Sequence, residues 1–202
     1  MAALALAMFA VMFLVIFVLR TVVQRRTTGD SGLRPGGLTA ALGSVEWLAA
    51  WLLVLALVAA FVAPILELTG VEPLTDSVWV RGAGTALAAA GIALTFAAQL
   101  SMGSEWRIGV DPDERTGLVT DGAFQIVRNP IFSAMALSAV GLALMVPNAA
   151  SIVGVVAFAA AVELQVRYVE EPHLRKLHGE AYARYEASVG RFVPRPSAVR
   201  SP

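Results

Sequence analysis

The chain has 202 residues, 57% of them hydrophobic and only 15% charged, with no net charge and no cysteine. That apolar excess is more than one water-soluble core needs, so a bilayer must serve as part of the solvent. The missing cysteines exclude disulfides, thiolate metal sites and cysteine nucleophiles, and no basic stripe interleaved with aromatic residues suggests a nucleic-acid partner.

A spanning helix needs about 20 mostly apolar residues, because lipid cannot satisfy backbone polar groups. Ala2 to Leu19, Val45 to Leu66 and Trp79 to Leu100 meet this requirement. The first block carries its charges after the apolar run, at Arg20, Arg25 and Arg26, and so reads as a retained span instead of a signal peptide. Small residues between Arg81 and Gly91 follow no strand, and they predict close helix packing in place of a dinucleotide loop.

The fourth apolar block, Ile131 to Val162, is too long for one span and is interrupted by Pro147-Asn148. It predicts a hairpin of two short helices. Asn129 and Pro130 predict the start of the first, as cap and first-turn residue. The fold class expected is therefore all-α integral membrane, with five transmembrane helices and an amphipathic C-terminal helical cap over Tyr168 to Phe192. Leu174, Leu177 and Ala181 form the apolar stripe of that cap. Residues 195–202, rich in Pro and Ser, predict a disordered tail, and the rest a single membrane domain: three spans over 1–100 and a core over 101–194.

Arginines cluster in the first loop, in the third (Arg107, Arg115, Arg128) and from Arg167 onward, whereas Arg81 sits among acidic residues in the second. The positive-inside rule then places the N-terminus outside and the third loop and C-terminal segment together in the cytoplasm. Arginine dominance over a single lysine, Lys176, with abundant Ala, Val and Gly, suggests a bacterial gene and hence the inner membrane.

The charges leaving the last span carry the chemistry. Glu163, Arg167, Glu170 and Glu171 share one helical face, and carboxylates near a membrane point to a polar cavity more readily than to anchoring. Pro172 predicts a bend or restart that sets Glu171 at a junction.

Leu118 to Phe124, then Val127-Arg128-Asn129-Pro130, the hairpin Asn148, Arg167 with Glu170-Glu171 and Leu174, then Gly179, Tyr182, Tyr185 and Arg191-Phe192-Val193-Pro194 resemble the isoprenylcysteine carboxyl methyltransferase pattern. The resemblance runs from Met102-Gly103 and Trp106 to Pro194, with Asn129 in place of the family's histidine and Ala123-Phe124 in place of Pro-Tyr.

The resemblance implies a cytoplasm-facing S-adenosylmethionine pocket with lateral access for a lipophilic or amphiphilic acceptor, among membrane lipids. It assigns Gly122, Phe124, Arg128, Asn129, Pro130, Glu170, His178, Tyr182 and Tyr185 to the cofactor site, and Arg167 and Glu171 to methyl transfer. Arg167 would orient an acceptor carboxylate with Glu171 holding it in place, or Glu171 would act as base toward an amine or hydroxyl. On this reading Arg167→Ala and Glu171→Gln abolish transfer and leave the fold intact. No metal is expected. A nicotinamide-dependent, sterol-reductase-type enzyme and a non-catalytic membrane binding protein are the alternatives.

Overall fold

The computed structural model describes residues 1–34, 36–107 and 117–195. Among these, the structure is helical, with an isolated bridge between Val127 and Gly190. Arg115 and nearly all of the 195–202 tail lie outside the described residues.

Among the described residues, four helices are long and apolar enough to cross a membrane: α1 (Ala2–Thr28), α2 (Val45–Leu68), α3 (Val78–Ser101) and α5 (Ala149–His178). Between them α4 (Pro130–Met145) is apolar but only 16 residues long, about 24 Å at 1.5 Å per residue and short of the ~30 Å hydrocarbon. A last helix, α6 (Glu180–Ser188), follows Gly179. The chain is an integral membrane protein.

The predicted hairpin is present, but only its first arm is short. Asn148 caps α5 by accepting from the Ser151 amide at 3.1 Å, while Ser151 Oγ accepts from the Asn148 amide at 3.0 Å. Asn148 Nδ2 also reaches the Ala63 carbonyl of α2 at 2.9 Å, tying the turn to a second helix.

From there α5 runs on past Pro172 without restarting. A wide π-turn over Gln165–Glu170 comes just before the proline and takes up the disrupted hydrogen-bond ladder. The C-terminal cap therefore does not begin at Tyr168. The chain breaks instead at Gly179, whose φ of 51° favours glycine, and on α6 it is Tyr182 that is buried while Ala181 is exposed.

The small residues of α3 serve packing, as expected. A Cβ on Gly84 would lie 2.8 Å from the Gly141 carbonyl of α4, and one on Gly141 would lie 2.3 Å from the Ala88 nitrogen. Such contact between backbones is how membrane helices gain dispersion energy without a hydrophobic drive. Gly141→Val is therefore expected to destabilise the bundle by at least ~1–3 kcal/mol, the usual range for overpacking. Gly82→Val, where nothing lies within 4 Å, should be neutral in the same thermal unfolding series in detergent.

The chain direction alternates, so two ends form. At one end Arg81 forks onto Glu67 at 2.9 and 3.3 Å and reaches Asp76 at 3.1 Å, latching α2 to α3. At the other end lie the C-terminal turns of α1, α3 and α5, the start of α4, and α6.

Candidate active site at the arginine-rich end

Glu171 is the centre of this end. It is 2% exposed, and its carboxylate accepts from Arg128 at 2.9 Å, from Arg191 at 2.7 and 2.8 Å, and from Arg175 at 3.1 Å. Glu186 adds a second carboxylate, 2.6 Å from Arg175 and 3.6 Å from Arg128. Three guanidiniums thus face two carboxylates, and one positive charge remains in excess.

The C-terminal strand of chain fixes this arrangement from outside. The amides of Arg128 and Asn129 donate to the carbonyls of Gly190 and Arg191 at 2.7 and 3.0 Å, and Asn129 Nδ2 adds a bond to the Arg191 carbonyl at 3.2 Å. Asn129 does occupy the N-cap position of α4, with Pro130 in the first turn, but its side chain caps nothing because it is spent on Arg191. Gly190 permits the crossing, since a Cβ there would fall 2.0 Å from the Val193 carbonyl oxygen.

Beside the cluster lies an open-mouthed hollow with about 520 Å³ of empty space, part of it open to solvent. Arg128, Asn129, Glu170, Glu171, Tyr182, Tyr185 and Phe124 line it, together with Met102, Glu105, Leu174 and residues 117–119. The Tyr185 hydroxyl donates to the Phe124 carbonyl at 2.7 Å. Burial pushes both the Tyr182 and Tyr185 phenols up to about 12, so both stay neutral across the physiological range.

Seven of the residues assigned from sequence therefore meet in one hollow, and four do not line it. Gly122, with φ of 59°, opens the single turn that presents Phe124. Pro130 is buried in the first turn of α4. His178 ends α5, and its Nε2 is buried without a partner.

Arg167 pairs with Glu163 through its Nε, and both side chains are about half exposed, at 50% and 44%. Glu171 does not hold Arg167, because Arg128, Arg175 and Arg191 occupy its carboxylate. Arg175, four residues on, was legible as its partner. Arg191, twenty residues away, and Glu105, an acid at the end of an apolar helix, carried no such spacing signal.

The hollow suits a ligand bearing both charge signs. Arg128 Nε is a buried donor with no partner, and an anionic group is the natural acceptor for it. Glu105 and Glu170 supply carboxylates, and the aromatic rings supply flat faces. S-adenosylmethionine offers a carboxylate, two cationic centres and a purine, so the residues present fit it. Among the described residues no acidic or histidine cluster could hold a metal ion.

A family model for phospholipid methyltransferases matches residues 79–181, about half of the chain. Among solved structures, a eukaryotic intramembrane Ras methyltransferase, isoprenylcysteine carboxyl methyltransferase, is similar at a TM-score of 0.57 and 20% sequence identity. The similarity covers 89% of this chain and 61% of that one, so the chain spans less than two thirds of that protein's length. No curated protein matches the chain significantly.

Proposed function

The chain belongs to the phospholipid methyltransferase family, and on that premise we propose that it is an S-adenosylmethionine-dependent methyltransferase of a lipophilic or amphiphilic acceptor. The observation that carries this reading is the hollow beside Glu171, in which Arg128 with its unpartnered Nε, two further carboxylates and two neutral phenols converge.

When bound, the cofactor supplies a methyl group on a sulfonium, activated for in-line displacement. The chain's own work is to position and to manage charge. Arg128 would take the cofactor's carboxylate, with Glu171 holding that guanidinium at the hollow. Glu105 and Glu170 would serve the cationic portion, and Phe124, Tyr182 and Tyr185 would offer ring surface to the purine. Arg167, beyond the cofactor hollow on the same helix, orients the acceptor, with a carboxylate favoured because a guanidinium fork meets two oxygens at once.

A lipophilic acceptor is in keeping with an apolar hollow, open along one side, among α1, α2, α4 and α5, lined by Met12, Ala56, Met135, Leu142 and Phe158 among others. With the arginine-rich end in the cytoplasm, as the charge distribution favours, the reaction occurs at the inner face of a bacterial plasma membrane.

Calorimetric titration of the purified protein in detergent tests the reading. S-adenosylmethionine is expected to bind and NADPH not to bind. Binding of NADPH alone would transfer the site to a reductase. Binding of S-adenosylmethionine without turnover on any lipid extract with labelled cofactor would leave a non-catalytic binding protein.

A further inference from the structure

The last turns of α1 lie outside the part of the chain that matches the family model, yet they hold one wall of the hollow. Arg20 is 3% exposed and Gln24 is fully buried, although both follow an apolar span and belong to residue types that normally reach for water. Their partners explain the burial. Arg20 Nη2 donates to the Gly103 carbonyl, and Gln24 Nε2 donates to the Ser104 carbonyl at 2.7 Å.

Those carbonyls belong to the turn Gly103–Glu105 that ends α3, where the last carbonyls fall outside the helix's own ladder; the Ser104 carbonyl also accepts from Arg107 Nη1 at 2.8 Å. Trp106, next in the chain, is 1% exposed and lies under the Arg20 guanidinium at 4.9 Å from the ring centroid. Gly32 closes on the same ring, since a Cβ there would come within 3.0 Å of it. In the reverse direction Gln99 of α3 donates to the Ile16 carbonyl of α1 at 3.3 Å, within the wide turn Leu14–Leu19. The two helices are therefore stitched both ways.

The other side of this turn faces the hollow. Met102 and Glu105 line it, and Glu105 accepts from the Gly117 amide at 2.8 Å, so the turn also fixes where the chain re-enters the wall. We propose that Arg20 and Gln24 are positioning residues: they clamp the turn after α3 so that Met102 and Glu105 stand in register with Arg128 and Glu171 across the cofactor hollow.

This rests on the cofactor reading above, and the test keeps the two apart. Full-length protein in detergent, as wild type, Gln24→Ala, Arg20→Ala and Arg20→Lys, is followed without cofactor by hydrogen–deuterium exchange of backbone amides. The same samples are titrated with S-adenosylmethionine in a calorimeter and assayed for turnover at saturation.

Loss of one such hydrogen bond should speed exchange over 102–107 by about two- to tenfold and leave α2 unchanged. The dissociation constant for the cofactor should rise by a similar factor, while saturated turnover changes less than about twofold. Arg20→Lys keeps the charge over Trp106 and should fall between wild type and Arg20→Ala. Unchanged exchange in Gln24→Ala, or faster exchange with wild-type affinity, would overturn the clamp alone. Failure of the wild type to bind the cofactor overturns the parent reading, and the clamp's purpose with it.

Discussion

Glu171→Gln is expected to lower the stability of the protein by about 3–5 kcal/mol and to abolish cofactor binding at the same time. Sequence alone suggests a variant that folds normally. The structure argues otherwise, because this carboxylate receives hydrogen bonds from three guanidiniums at 2.7 to 3.1 Å while 2% exposed. A glutamine keeps the shape, removes the charge and points an amide donor at groups that can only donate.

Arg128, the most buried of the three at 7% side-chain exposure, then loses its nearest counter-charge and keeps only Glu186 at 3.6 Å. The strap through Gly190 and Arg191 is anchored on the same carboxylate and should loosen with it. The measurement is thermal unfolding in detergent beside a cofactor titration. Glu186→Gln serves as the milder control, since its carboxylate is 28% exposed and water can replace part of what is lost. A Glu171→Gln protein that unfolds with the wild type would remove the ion cluster from any account of the fold.

How much of this was legible depends on how far apart the partners are. Helix existence followed from apolar block length, and the α4–α5 turn from Pro147-Asn148, because both signals are local. The pairing of Arg128 with Glu171 joins residues 43 apart in the chain, and no periodicity encodes it. It entered only through resemblance to a pattern in which both positions occur.

The readings that needed correction fail for physical reasons. Pro172 was expected to bend or restart the helix; the helix does not restart, because a π-turn just before it absorbs the defect, and propensity carries no warning of that. Arg20 was counted as a charge marking the cytoplasmic side. It does lie at the arginine-rich end, yet it is buried under Trp106, because the turn after α3 presents the Gly103 carbonyl to its guanidinium. Asn129 kept its predicted position and lost its predicted bond, since the strap from residue 191 competes for the same amide.

Arg167→Ala should do the opposite of Glu171→Gln: methyl transfer falls by about 10²-fold or more while stability is unchanged. Arg167 is half exposed and its ion pair is with Glu163. An exposed pair of this i,i+4 type contributes about 0–1 kcal/mol, so removing it should scarcely move the unfolding temperature. Cofactor affinity should also hold, because Arg167 does not line the cofactor hollow. What is lost is the orientation of the acceptor, and misplacement by about 1 Å can cost about 10²-fold. Arg167→Lys separates orientation from charge, since a lysine keeps the cation and loses the two-point fork. If a carboxylate acceptor is gripped by that fork, the lysine variant stays far below wild type. Glu163→Gln frees the guanidinium and should leave activity intact or raise it. Wild-type turnover in Arg167→Ala would take the acceptor away from this face of α5, and would leave the arginine as one partner of a surface ion pair.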